Sequence, residues 1–107
     1  MSGRVVRVHS WKDFKNLLMK HGVREVAYNI EMGIPARHLT TLRLILSIGN
    51  IRYVFIDTAG GMKLRRTGIP LSRDEMGNLY IRDEDVASFI KSETGGREIK
   101  LRSYWSM

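Results

Sequence analysis

The spacing of apolar residues at the start of the chain predicts a strand followed by a helix. Residues 4–9 are rich in β-branched side chains, which are typical of a strand. Ser10 is a suitable helix N-cap, and Gly22 is a suitable helix terminator. Between them, apolar side chains recur at helical spacing at Trp11, Phe14, Leu17 and Leu18. We therefore expect an amphipathic helix over about 11–21, with Trp11 as its buried anchor.

The apolar stretch from residue 23 to residue 48 is harder to interpret. Residues 23–32 place apolar side chains on one helical face, so a helix is favoured, and a short strand is the alternative. Pro35 lies where a helix can restart, because a first turn tolerates proline. Residues 36–48 are apolar enough for a central helix. The junction at 33–35 is either a break between two helices or a kink in one long helix.

The second half of the chain predicts strands and one helix. Residues 51–58 form the clearest strand, and both of its faces are mostly apolar, so we expect it to be central in a sheet. A turn at 59–61 then leads to 62–67 as the return strand of a hairpin. A polar loop, a short strand, a helix capped by Asp83 and an alternating last strand follow over 72–77, 78–82, 84–92 and 98–105.

Together these elements predict an α+β fold in one domain over 1–107. We expect an antiparallel β-sheet of about four to five strands, packed against an extended or kinked central helix plus smaller helices.

Composition narrows the class of protein. The chain has 107 residues, 43% of them apolar, which is enough for one modest core. No apolar run approaches the roughly 18 residues of a membrane span, and the N-terminus lacks the apolar region of a secretory signal. We expect a cytoplasmic protein with no membrane partner.

Cysteine is absent, which excludes disulfides and thiolate chemistry. Glutamine is also absent, and arginine outnumbers lysine by twelve to six, a balance that fits a thermophile.

The charge is the strongest indication of function. Eighteen Lys and Arg face eleven Asp and Glu, for a net charge of +7. Such an excess attracts polyanions, and counterion release favours binding to a phosphate backbone. Five of the eleven acids lie between Asp74 and Asp85, so the rest of the chain is more basic still. The alternative is a dispersed surface charge that serves solubility.

Alternation in three predicted strands sorts basic and aromatic side chains onto one polar face. That face comprises Lys63, Arg65, Tyr80, Arg82, Lys100, Arg102 and Tyr104, and we add Arg66, which adjoins Arg65. Cations that track phosphates and rings that stack on unpaired bases suit a single strand, whereas a solvated sheet face is the alternative. A second basic and aromatic set is expected on the helices and comprises Arg24, Tyr28, Arg37 and His38.

Signals for catalysis are poor. The three histidines have no metal-ligand spacing, and no phosphate-binding or dinucleotide fingerprint occurs. Asp57 ends a central strand and could join Asp83 or Asp85 in a nuclease site, although such a residue more often caps a turn. We therefore expect no enzyme, no catalytic residue, no metal and no cofactor, with a metal-dependent nuclease as the alternative.

The order of these segments resembles a known family. The tryptophan-containing first helix, the GIPARHLTTLRLIL segment at 33–46 and the strands IRYVFIDT, MKLRRT and GNLYI carry the likeness, which extends over nearly the whole chain. It resembles the DNA-binding domain of the ThermoDBP-related single-stranded DNA-binding proteins of hyperthermophilic archaea. The resemblance implies antiparallel strands that pack against an extended helix. It also implies a homo-oligomer that assembles without a leucine-zipper segment.

Charge and resemblance agree on a ligand. We expect single-stranded DNA bound with little sequence specificity by a homo-oligomer. Single-stranded RNA is the other candidate, because no contact to a 2′-hydroxyl can be read from the sequence. An RNA-binding or ribosome-associated module is the remaining alternative.

Overall fold

The fold is α+β, as the sequence predicts. In the computed structural model, which describes residues 3–32 and 39–104, a five-stranded sheet and a two-stranded ribbon accompany two helices. The elements are β1 Arg4–Val8, α1 Trp11–Lys20, β2 Glu25–Met32, β3 Thr40–Ile48, β4 Ile51–Ala59, β5 Ser72–Arg73, β6 Leu79–Tyr80, α2 Asp83–Glu93 and β7 Lys100–Ser103. Within these ranges, no helix is long and apolar enough to cross a membrane.

The sheet is mixed, whereas the sequence predicts an antiparallel one. Its strand order is β1-β4-β3-β2-β7. The three inner strands are antiparallel to one another, and each edge strand is parallel to its neighbour. Parallel pairing requires a long crossover connection, and the two helices, α1 after β1 and α2 before β7, lie within such connections.

The helices predicted over 23–32 and 36–48 are wrong where the structure describes those residues. β2 and β3 are paired strands, and Leu42, Leu44 and Leu46 alternate along one buried face of β3. Ile45 on its other face is also only 7% exposed. The continuous buried run of Leu44, Ile45 and Leu46 also fits a buried helix, and tertiary pairing overrides the helix propensity of leucine. The junction at 33–35 lies outside the described residues.

The predicted hairpin between 51–58 and 62–67 is also wrong. β4 pairs instead with β3, through a two-residue loop in which Gly49 has a φ of 62°. Positive φ at the first central residue alone matches a type II′ hairpin turn. Residues 62–67 do not form a strand, and their one ladder contact is an isolated bridge between Lys63 and Pro70.

The core lies on one face of the sheet, beneath both helices. Trp11 packs against Phe89 of α2 and Phe55 of β4, with ring centroids 4.8 and 5.9 Å away, so it is the buried anchor that the sequence predicts. The Ser10 side chain accepts a hydrogen bond from the Asp13 amide, as a helix cap should. At α2, however, the cap position belongs to Arg82, and Asp83 is the first helical residue.

The opposite face of the sheet carries the alternate residues of all five strands. Both helices, the ribbon and the loop around Leu64 and Ile69 contribute to the main core cluster, whereas the buried Ile45 and Val54 lie outside it. We call this second surface the open face, because no described element packs across it. It comprises Val5, Arg7, Glu25, Ala27, Asn29, Glu31, Thr41, Arg43, Ile45, Ser47, Arg52, Val54, Ile56, Thr58, Lys100 and Arg102.

Candidate nucleic-acid interface

One row of residues crosses all five strands of the open face. Its members, in register, are Arg7, Val54, Ile45, Ala27 and Arg102. At about 4.8 Å between strands, the row is about 19 Å long. An apolar floor therefore lies between two arginines, one on each edge strand.

Two more arginines stand on the rows beside this floor. Arg52 lies between Val5 and Ser47 in one row, and Arg43 pairs with Ile56 and Asn29 in the other. Although no described element covers them, Val54 is only 5% exposed and Ile45 only 7%. Arg7 reaches across β4 here, because its Nη2 donates to the Ile56 carbonyl at 3.4 Å, and an arginine stem can cover apolar surface while the charge stays in water.

The open face carries an excess of positive charge. Arg7, Arg43, Arg52, Lys100 and Arg102 face two carboxylates, which leaves an excess of three cations. Glu25 accepts from Arg102 Nε at 2.7 Å, and Glu31 pairs with Arg43. Both pairs are solvent-exposed, and such pairs contribute only about 0–1 kcal/mol. Phosphate groups can therefore compete for these arginines.

Four residues predicted for the site come together at the β7 edge, although Arg24 lies in the loop before β2 and not on a helix as predicted. Lys100 and Arg102 lie on the open face, and the Lys100 amide donates to the Arg24 carbonyl at 2.8 Å. Tyr104 follows β7, and its carbonyl accepts from Asn29 Nδ2 at 2.9 Å. Its ring is half-buried, and this burial raises the pKa of the Tyr104 hydroxyl.

Other predicted residues are dispersed over the molecule. Tyr28 is predicted on a helix surface, but it lies on the core face of β2 and is 7% exposed. Burial, together with Asp83, raises the pKa of Tyr28 to about 12. Tyr80 lies on the ribbon, and Arg82 is bound by Asp85 and Glu84 at 3.0 and 3.3 Å. Arg37 and His38 lie outside the described residues. Tyr80 and Arg82 do not share the sheet of Lys100 and Arg102, so the single polar face predicted from strand alternation is wrong.

Lys63, Arg65 and Arg66 belong to a loop rather than to a strand. The Asp57 carboxylate, in a residue that is only 2% exposed, accepts hydrogen bonds from the Arg66 and Thr67 amides and from the Thr67 hydroxyl. Their donor–acceptor distances are 2.8–3.2 Å. The guanidinium of Arg66 then donates to the His9 carbonyl at 2.5 Å. Hydrogen bonds from its backbone amides and from the Arg66 side chain thus hold the loop in place. Lys63, Arg65 and Arg66 remain exposed to solvent.

The carboxylates proposed for a nuclease site have other partners. Asp57 is occupied by the loop, which is the turn-capping role that the sequence also allows. Asp85 binds Arg82. Across residues 3–32 and 39–104, no group of three or more potential protein ligands could hold a metal ion.

Sequence reasoning missed Arg7, Arg43 and Arg52. Arg43 fell within a predicted helix, and Arg52 fell within a strand treated as apolar on both faces. The signal was present in β3, where Thr41, Arg43 and Ser47 occupy alternate positions. Treating β3 as a strand would have placed these residues on one face.

A cavity of about 450 Å³ opens at one corner of the open face. Its apolar side includes Ala27 and Ile45, and its charged side includes Arg24, Glu25 and Arg102. A second cavity of about 380 Å³, lined by Gly22, Arg24, Arg97 and Glu98, adjoins it through Arg24.

No protein-family model, curated protein or solved structure matches the chain. The likeness to ThermoDBP-related proteins therefore stays a prediction. The helix that it implies over 33–46 is absent from 40–46, which belong to β3.

Proposed function

We propose that the protein binds single-stranded nucleic acid, single-stranded DNA in the first place, along the open face. The observation that carries the proposal is the row from Arg7 to Arg102, in which an apolar floor separates two arginines whose backbone positions are about 19 Å apart. Cationic rims track phosphates, while a sheet surface receives unpaired bases. The net charge of +7 favours the same ligand.

The charge of this surface favours a polyanion over a second copy of the open face. A two-fold contact would bring the same patch of each subunit together, so Arg7, Arg52 and Lys100 would meet like charges. Like charges that face each other across an interface cost several kcal/mol. A phosphate backbone instead neutralises them and releases counterions.

The floor favours a single strand and predicts little base preference. Val54 and Ile45, at 5% and 7% exposure, and the more accessible Ala27 form a small apolar floor, which a duplex with its stacked bases cannot use. Their side chains have no hydrogen-bonding atoms, so they cannot read base edges. The open-face residues include no aromatic side chain, and Tyr104 lies beside them after β7. Stacking is therefore limited, and charge accounts for most of the affinity.

The test is a fluorescence titration with single-stranded DNA, duplex DNA and single-stranded RNA over a range of salt concentrations. We expect the single strand to bind best. A plot of the logarithm of the binding constant against the logarithm of the salt concentration should have a slope of about −0.7 per phosphate contacted. Replacing Arg7 and Arg52 together with alanine should weaken binding and reduce the slope by up to about 1.4. Lys12→Ala with Arg73→Ala is the control, because it removes two charges from α1 and the ribbon.

Equal weakening by both double variants would show that diffuse charge, and not the open face, binds the strand. Absence of binding at low salt would overturn the proposal. A stronger signal with RNA than with DNA would assign the same face to RNA.

We also infer that the chain self-associates, through the edge of β1. The apolar segment 39–48 cannot supply the contact between subunits, because Leu42, Leu44 and Leu46 are buried in the chain's own core. Trp105 and Met107, the last apolar residues of the sequence, lie outside the described residues.

β1 is an edge strand, and Val5 on it is 57% exposed, which supports pairing with a second copy. Light scattering should give a multiple of 12.3 kDa, and Val5→Lys should return the monomer, whereas a monomeric parent would contradict the inference.

A further inference from the structure

Arg24 lies between two cavities at the corner of the molecule where α1, β2 and β7 meet. The first cavity, which we call the corner pocket, has a volume of about 450 Å³ and is part of the open face. The second, the outer pocket, has a volume of about 380 Å³ and includes Arg97. Arg24 lines both of them, and each volume falls within the roughly 300–1,000 Å³ of small-molecule sites.

The corner pocket combines an apolar wall with a planar cation. Ala27 and Ile45 form part of the floor of the open face, and Ile48 extends this apolar wall. Arg102 lies on the charged side, where its Nε donates to Glu25 at 2.7 Å. A guanidinium plane stacks on unpaired bases. The walls thus suit the flat, largely apolar face of a nucleobase.

The outer pocket carries the charge that a phosphate requires. Glu98 lies there, but it pairs with Lys91 at 3.4 Å. Among the described residues, neither Arg24 nor Arg97 makes an ion pair. Two arginines without a carboxylate partner can therefore receive an anion that reaches this corner.

The backbone that carries Arg24 is fixed before any ligand binds. Gly22, with a φ of 60°, ends α1, and the Val23 amide donates to the Leu18 carbonyl at 3.1 Å. The carbonyl of Arg24 itself accepts from the Lys100 amide at 2.8 Å. A contact held in place by the scaffold loses less entropy on binding than one on a flexible loop.

We infer that the corner pocket holds one unstacked base of the bound strand and that the outer pocket holds an adjoining phosphate between Arg24 and Arg97. This inference rests on the proposed function and names one nucleotide position within it. The rest of the open face then contacts the backbone with little base preference, while the corner anchors one nucleotide of the strand.

Uncharged plugs test the base position. Ala27→Leu with Ser47→Leu fills the corner pocket and leaves every charge in place. The matched control is Thr41→Leu with Thr58→Leu, because these cross-strand partners lie on the same face, away from the pocket. With a twelve-residue thymidine oligonucleotide, we expect the plug to weaken binding about tenfold, within the range for loss of one stacked base, and to leave the salt slope unchanged. The control should bind as the parent does.

Charge removal tests the phosphate position independently of packing. Arg24→Ala with Arg97→Ala changes two exposed side chains, so it remains informative if the plug variant unfolds. We expect weaker binding and a salt slope reduced by about 0.7, which corresponds to one phosphate. Thermal unfolding of each variant monitors the fold.

The outcomes separate the inference from the function on which it rests. If the corner variants bind as the parent does while Arg7→Ala with Arg52→Ala weakens binding, the open face binds but the corner is not a nucleotide site. Equal weakening by the plug and its control would likewise overturn the corner site. If the parent itself does not bind, the proposed function fails.

Discussion

At the scale of single residues, Asp57 shows how one buried carboxylate determines local structure. The sequence marks it as an aspartate at the end of a strand, for which capping a turn is the common role. It does not reveal which segment is capped, because that depends on the return of the chain at Arg66 and Thr67. The amides of these residues donate to a carboxylate, so the strand predicted at 62–67 does not form.

Asp57→Asn should loosen this loop while preserving the shape of the side chain. One oxygen that accepts hydrogen bonds becomes an amide donor facing other donors, and each buried unpaired group costs about 1–3 kcal/mol. We expect a loss of that size in the free energy of unfolding, together with faster hydrogen exchange at the Arg66 and Thr67 amides. Asp74→Asn is the control, because Asp74 also accepts from backbone amides but is exposed. Equal losses in both variants would contradict the role given to Asp57.

Tyr28 should make stability depend on alkaline pH. Burial raises its pKa from 10.0 to about 12, so the unfolded chain releases the proton at a lower pH than the folded one. The stabilisation is therefore fully present below pH 10 and declines by up to about 1.4 kcal/mol per pH unit as pH rises towards 12. In urea unfolding, Tyr28→Phe should flatten this decline, and Tyr80→Phe, which removes the same hydroxyl from a far more exposed ring, should not. An unchanged decline in Tyr28→Phe would refute this assignment.

At the scale of elements, the sequence identifies both helices and the strands that are rich in β-branched or alternating side chains. β1, α1, β4, α2 and β7 are all predicted near their observed positions. β2 and β3 are missed because the apolar residues of β2 also fit one helical face, and because Leu44, Ile45 and Leu46 of β3 form a continuous buried run. The same error explains why Lys100 and Arg102 are found for the site while Arg43 is not. Strand pairing, and therefore the partner of β4, depends on contacts that local pattern does not encode.

The β3–β4 hairpin should be sensitive at Gly49. Its positive φ of 62° lies in the left-handed region, which costs a residue with a Cβ roughly 1–2 kcal/mol. We expect Gly49→Ala to lower the free energy of unfolding by about that amount in a urea titration. Gly61→Ala is the control, because its φ is not positive and an added Cβ there would meet no atom within 4 Å. If both variants lost the same stability, this hairpin turn would not require glycine.

At the scale of the whole molecule, the packed elements and the open face lie on opposite sides of the sheet. Both helices and the ribbon pack on one side, and the acidic run from Asp74 to Asp85 lies in the ribbon and at the start of α2. The open face on the other side has its excess of cations, with Arg7, Arg43 and Arg52 among them. The rest of the described chain has an excess of three cations as well, so the field of the molecule attracts a polyanion from all sides, and the arrangement of cations around the apolar floor distinguishes the open face.

The most direct test of this account is an NMR titration of methyl-labelled protein with a short thymidine oligonucleotide. Val54 and Ile45 form the floor of the open face, whereas Val86 and Ile90 of α2 are buried in the core cluster on the other side. We predict saturable shifts of the Val54 and Ile45 methyl signals that diminish as salt is added, with little change at Val86 and Ile90. Binding that shifts the α2 methyls and leaves Val54 and Ile45 unchanged would contradict the account.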